Sequence, residues 1–213
     1  FEIALPERRQ FFIDNNDLFG GFGGGRDANP FFSRRIGIAR DTTGNTIENR
    51  IIGGARLSGK INNNLRLGFL NLQTEEDSEN GIPSNNNMMF SLQQKMFSRS
   101  NLGVFFINRQ AIRANDFLPE GEEFNRVIGI DYNLASQDNS WTGKFYAHKS
   151  FQPDDNEGNH SLGVFLGKNT RNFSAFVDAV KIDEDFTSDL GFIPRTDIVK
   201  LVNILEGRIW PKK

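Results

Sequence analysis

An all-β fold, an antiparallel up-and-down transmembrane β-barrel present in part, is what this sequence predicts, and three observations predict it. Apolar residues recur with period two rather than with the i, i+3, i+4 spacing of an amphipathic helix. The alternating runs have about the 9–11 residues that a tilted membrane-crossing strand requires. The connections between them alternate short and long, as in outer-membrane barrels, where tight turns lie on the periplasmic side and longer loops outside.

In chain order, residues 1–49 form an irregular entry segment. Phe11-Phe12, the Phe- and Gly-rich run 19–25 and Phe31-Phe32 hold no sustained alternation, and the glycines permit positive φ and close backbone approach. Residues 50–213 are assigned to the strands of an incomplete barrel. The strands are expected at 50–61, 64–73, 87–97, 102–109, 128–134, 141–148, 161–167, 172–182 and 198–209, with residues 208–213 looking like the start of another, so about nine or ten in all. The clearest sets Ile128, Ile130, Tyr132 and Leu134 on one face and Gly129, Asp131 and Asn133 on the other. In the next, Trp141, Gly143, Phe145 and Ala147 oppose Thr142, Lys144, Tyr146 and His148. A third places Leu162, Val164 and Leu166 opposite Ser161, Gly163, Phe165 and Gly167. The Phe69-Leu70 pair breaks alternation and is expected to mark a bulge. Acidic and turn-forming residues gather in the long loops, at 75–81 and 154–158, as solvated tips do.

Lysine and arginine total 25 against 27 aspartates and glutamates, a net charge of −2 that gives no reason to expect nucleic acid as a partner. The absence of cysteine excludes disulfides, thiolate zinc sites and cysteine nucleophiles. A mean hydropathy of −0.48 suits a transmembrane barrel as well as a soluble protein, because every second barrel residue faces a polar lumen. Phenylalanine, at 21 residues against two tryptophans and two tyrosines, departs from the usual girdle composition. A first residue of Phe1 rather than Met leads us to expect that the chain is cut.

No motif carries recognisable chemistry. The run 20–25 lacks the Gly-Lys-Ser/Thr of a phosphate loop and reads as a flexible loop. His148 and His160 fall in different strands without metal-ligand spacing, and the adjacent acidic pairs Glu75-Glu76, Glu122-Glu123 and Asp154-Asp155 do not build a glycosidase pair or an EF-hand. No catalytic residue, metal or cofactor is expected. The charges that flank the apolar clusters, Glu7, Arg8, Arg9, Asp14, Arg34, Arg35 and Arg195, are expected to form a bracing network in the lumen. Lumen-side positions would also include Arg56, Lys60, Asp131, Lys144 and His148, with Ile128, Ile130, Leu134, Leu162, Val164 and Leu166 facing lipid. On that assignment Asp131→Asn should be mild and Ile130→Arg costly.

The segment FEIALPERRQFFID at 1–14 resembles the F-E-x-x-x-P-E-[KR]-R-x-F-F-x-E stretch of a Bacteroidota envelope family. In that family a β-barrel domain of unknown function follows a family-9-like carbohydrate-binding domain. FFSRRIG at 31–37, IGGARLSGK at 52–60 and DLGFIPRTD at 189–197 are similar to its later motifs, in the same order. Asp14 stands where the family has glutamate, which shortens its reach without removing its charge. The resemblance implies an outer-membrane location, a carbohydrate-binding domain before Phe1 and further strands after Lys213.

The expected function is therefore a non-enzymatic outer-membrane module that anchors or transports in connection with surface glycan or nutrient handling. Its expected partners are outer-membrane lipid and lipopolysaccharide, other outer-membrane proteins, and glycan through the preceding domain. Two other readings are a soluble or periplasmic carbohydrate-binding or hydrolase-associated β domain, and a subunit of a larger outer-membrane assembly.

Overall fold

The computed structural model describes residues 7–112, 118, 121–153 and 157–210. The opening of the first motif at 1–6, the acidic run 154–156 and residues 211–213 lie outside them. The fold is all-β: one antiparallel sheet of nine strands in meander order, with a small hairpin and three single helical turns before it.

The sheet comprises β3 (Ile51–Lys60), β4 (Leu65–Thr74), β5 (Asn85–Met96), β6 (Ser100–Ala111), β7 (Phe124–Ala135), β8 (Trp141–Phe151), β9 (His160–Asn169), β10 (Phe173–Ile182) and β11 (Ile198–Gly207). These are the nine strands that the period-two pattern places, each 10–12 residues long. The connections 61–64, 97–99, 136–140 and 170–172 are short, and 75–84, 112–123, 152–159 and 183–197 are longer, so all short turns lie at one end of the sheet. Among the described residues β3 and β11 each have one paired neighbour, so the sheet is not closed on itself.

The expected bulge at Phe69-Leu70 is absent. Both residues sit in unbroken register with β3 and β5, and the only shift in the β3–β4 ladder falls between Ile51 and Gly53. Alternation looks broken there because both faces of β4 are apolar: Leu70 points into the core while Phe69 lies on the opposite face, only partly buried.

The entry segment is also more ordered than its pattern suggests. It forms the helical turns α1 (Gln10–Ile13) and α2 (Asp17–Gly20), a 3-10 turn at Ser33–Arg35, and a hairpin of β1 (Ile38–Arg40) and β2 (Thr46–Glu48). Three-residue strands are too short to show a period. Their turn is made locally instead, by the Asp41 carboxylate accepting the backbone N–H groups of Thr43 and Asn45, with Gly44 at φ 86°.

This segment fills the inner face of the sheet. Phe12, Leu18, Phe19, Phe22, Ala28 and Phe31 pack with inward residues of β4, β5, β6, β7 and β10 in one core cluster. Polar contacts carry it from one sheet edge to the other. Arg56 of β3 donates to the Asp14 carbonyl, Ser91 of β5 to the Leu18 carbonyl at 2.5 Å, Lys144 of β8 to the Gly21 carbonyl at 2.6 Å, and Lys200 of β11 to the Asp27 carboxylate. A stretch of fourteen residues, 14–27, thus touches both edge strands. The 183–197 loop completes the packing: Phe186 and Leu190 join the core, and Phe32 N–H donates to the Leu190 carbonyl at 2.6 Å.

Candidate functional site

The two faces of the sheet carry different chemistry, and both come directly from strand alternation. On the outer face, direct cross-strand neighbours form unbroken apolar rows. Leu67, Leu92, Val104, Ile130, Ala147 and Leu162 cross β4 to β9, and Tyr132, Phe145, Val164, Ala179 and Leu201 cross β7 to β11. Many are exposed: Leu57, Ile130, Val164, Val177 and Leu201 all expose 41% or more of their surface. Leaving such a side chain in water forgoes ~1.5–3 kcal/mol relative to burying it.

The band has edges. At the long-loop end it gives way to Asn108, Arg126, Lys149, His160 and Lys181. At the short-turn end stand both tryptophans: Trp141 opens β8 beneath Lys168, and the Trp210 indole donates to the carbonyl of Arg171 in the 170–172 turn. Tyr132, one of the two tyrosines, packs against Phe145 on the same side. Three of the four polar-tipped aromatics thus lie toward the short-turn end of the outer face, and the fourth, Tyr146, is buried on the inner face.

The inner face holds a buried polar cluster beneath the glycine run. The hairpin turn at 136–140 pairs Gly129 with His148, which makes Asp131 the diagonal neighbour of His148. Asp131 lies 2.8 Å from His148 Nε2 and 3.3 Å from Lys144 Nζ, and accepts the Gly23 N–H at 2.8 Å. Gly129 makes room, since a Cβ there would lie 2.4 Å from both the His148 and Phe105 rings. Gly23, at φ 72°, passes so close to Ala28 and Pro30 that no side chain fits. Gly23 is therefore packed against the sheet, while Gly21 and Gly25 of the same run are exposed. Nearby, Lys200 bridges Asp27 and Asp178, the latter at 2.9 Å.

Ser161 is the cross-strand partner of His148, so aspartate, histidine and serine lie side by side. Ser161 Oγ and His148 Nδ1 are both buried and neither has a hydrogen-bond partner among the described residues. All three side chains are at most 2% exposed, so this arrangement offers solvent no nucleophile. No group of three acidic or histidine side chains is poised to hold a metal among the described residues.

The charges expected to form one lumen network fall into separate places. Glu7 pairs with Arg9 at 2.8 Å and accepts the Ser33 hydroxyl at 2.6 Å, while Arg9 donates to the carbonyls of Ser33 and Ile36. Arg35 donates to the Gly191 carbonyl at 2.9 Å, across to the 183–197 loop. Asp14 accepts from Gln10, Arg195 lies 3.9 Å from Asp27, Arg34 is half-buried in the 3-10 turn, and Arg8 is exposed. These contacts brace the entry segment against itself and the last long loop. Charges on the inner face sit instead on the strands, Asp131 and His148 buried and Lys144, Asp178 and Lys200 partly buried. The first three are the expected lumen-side positions, and the hairpin register is the signal that brings them together. Lys60 lies exposed at the end of β3.

No protein-family profile matches the chain, and neither a curated protein nor a solved structure does.

Proposed function

We propose that this chain is the membrane-embedded part of an outer-membrane β-barrel, a non-enzymatic module that anchors or passes material in connection with glycan or nutrient handling at the cell surface. The observation that carries the proposal is the outer face, where unbroken apolar rows with tryptophan at one boundary lie exposed, although the opposite face already buries the apolar core together with Asp131 and His148. A soluble antiparallel sheet turns its polar face outward, and an exposed apolar band of this extent in water would be an aggregation surface. Strand lengths and the one-ended distribution of short turns support the same reading, as do the motifs that resemble the Bacteroidota barrel family.

The reading carries a structural demand. In hydrocarbon every backbone amide must be paired, so β3 and β11 must meet each other or further strands. Lipid and lipopolysaccharide are the partners of the outer band, and other outer-membrane proteins could take part of it if the chain works as a subunit of a larger assembly. The test is fractionation of cells expressing the full-length protein, followed by electrophoresis with and without boiling. A membrane-bound protein whose mobility shifts on heating is expected. A monodisperse protein that stays in the soluble fraction overturns the proposal and turns attention to a carbohydrate-binding β domain.

A further inference from the structure

We infer that the outer face carries a binding site for the phosphate of a membrane glycolipid, centred on Arg126 at the long-loop end of β7. The inference deepens the membrane reading and rests on it. Four strand arginines show what distinguishes this one. Arg56, Arg66 and Arg109 point inward and are held by the Asp14 carbonyl, the Asp17 carboxylate and the Asp189 carboxylate. Arg126 points outward, and its partners are neutral: Nε donates to Asn108 Oδ1 at 3.0 Å and Nη2 to Gln110 Oε1 at 3.1 Å. Its guanidinium stacks over the Phe124 ring at 4.0 Å. Among the described residues no carboxylate pairs with it. The two amides and the ring fix the guanidinium in place without neutralising it, and Nη1 has no hydrogen-bond acceptor among the described residues.

Beside it lies a groove of about 710 Å³, lined by Phe106, Phe124, Ile128, Phe151, Gln152 and Pro153 as well as Arg126 itself. Lys149, the diagonal cross-strand neighbour of Arg126, holds its ammonium 5.5 Å from the Phe151 ring. Farther along the same boundary, Asp183 engages His160 and Lys181, at 3.2 Å and 2.7 Å.

A soluble anion would use the guanidinium but not the groove, and a neutral lipid would use the groove but not the guanidinium. An amphiphile with a phosphate head and acyl chains uses both, and the planar fork of arginine matches phosphate oxygens. The long-loop end is the outer-leaflet side in the barrel reading, where the phosphate-bearing lipid is the lipid A of lipopolysaccharide.

The full-length protein is reconstituted into three kinds of vesicle: phosphatidylcholine alone, phosphatidylcholine with diphosphoryl lipid A, and phosphatidylcholine with dephosphorylated lipid A. After detergent extraction, the lipid A retained per protein is quantified. The site predicts retention of the diphosphoryl form over the dephosphorylated one, unaffected by millimolar inorganic phosphate. Arg126→Gln should insert as the natural protein does but retain roughly fivefold less lipid A, with Arg126→Lys in between. Equal retention of the two lipid A forms overturns the inference even if Arg126→Gln does not fold. Equal retention by Arg126→Gln and the natural protein overturns it too, and displacement by inorganic phosphate reassigns the site to a soluble anion. Insertion without lipid discrimination defeats this inference alone, whereas failure to insert into any vesicle defeats the membrane reading together with it.

Discussion

Ile130 and Asp131 are consecutive residues of β7, yet one side chain is 45% exposed and the other 1%. Ile130 sits in an apolar row that nothing among the described residues covers, while Asp131 is sealed under the glycine run with a histidine, a lysine and a backbone N–H as partners. The outer face has hydrophobicity without a partner among the described residues, and the inner face seals Asp131 and His148 away from water. What the contrast teaches is that the entry segment substitutes for solvent on the inside, a role that the proposed membrane reading gives to a bilayer on the outside.

The largest effect should come from breaking the inner face. Asp131→Ala leaves Lys144, His148 and the Gly23 N–H without their common acceptor, and removing one member of a buried pair costs ~3–5 kcal/mol. Denaturant unfolding of the variant in detergent checks this, and a loss below ~1 kcal/mol would show the cluster to be dispensable. Asp131→Asn keeps one acceptor but loses the charge facing Lys144. Burial therefore makes it more damaging than a position on an open lumen wall suggests.

Ile130→Arg tests the other side of the comparison. If that face meets mid-bilayer lipid, the substitution should cost ~2–4 kcal/mol. In water the same change at a position 45% exposed should stay within ~0.5 kcal/mol. Refolding into phosphatidylcholine vesicles, compared with the natural chain, separates the two cases.

The strands were legible because alternation is a local property, and on β7 to β9 it assigns the faces as well. The ends were less so. β7 begins at Phe124, four residues before the predicted run, because Phe124 and Arg126 belong to the polar and aromatic boundary and do not read as apolar alternation. The packing of the entry segment was not legible at all. Gly23 meets Asp131 across 108 residues, and which part of 19–25 lies over which strand depends on the register of the whole meander. The bracing arginines beside phenylalanine clusters stood out in the sequence, yet the paired inner-face charges were single residues on strands, such as Asp178 and Lys200, visible only once strands are paired.

Two glycines of β9 sharpen the inner face further. A Cβ on Gly163 would lie 2.1 Å from the Tyr146 ring, whereas one on Gly167 would come no closer than 3.4 Å to Thr142 Oγ1. Gly163→Ala should therefore destabilise by ~1–3 kcal/mol through overpacking. Gly167→Ala should be near neutral, because the loss of unfolded-chain entropy favours alanine wherever it fits. Equal thermal stabilities of the two variants would mean that Tyr146 is not wedged against β9.

The smallest effect concerns how the start of the entry segment is held. Burial alone would raise the Glu7 carboxyl, but hydrogen bonds from Arg9 and the Ser33 hydroxyl, with the Arg9 charge, outweigh it and bring the value from 4.5 to about 2. A carboxyl whose value is lower in the folded chain adds stability that is fully present above about 4.5 and is lost as pH falls toward 2. Because Arg9 is partly exposed and screened, the amount is on the order of 1 kcal/mol. It acts locally, since Arg9 also ties this stretch to the carbonyls of Ser33 and Ile36. Hydrogen exchange of residues 7–36 should quicken, relative to the intrinsic rate, as pH drops from 5 to 2 in the natural chain. In Glu7→Gln it should already be raised at pH 5 and should change little on acidification. Parallel pH profiles for the two proteins would mean that the clamp at Glu7 does not hold the segment in place, and that its docking rests on the buried phenylalanines alone.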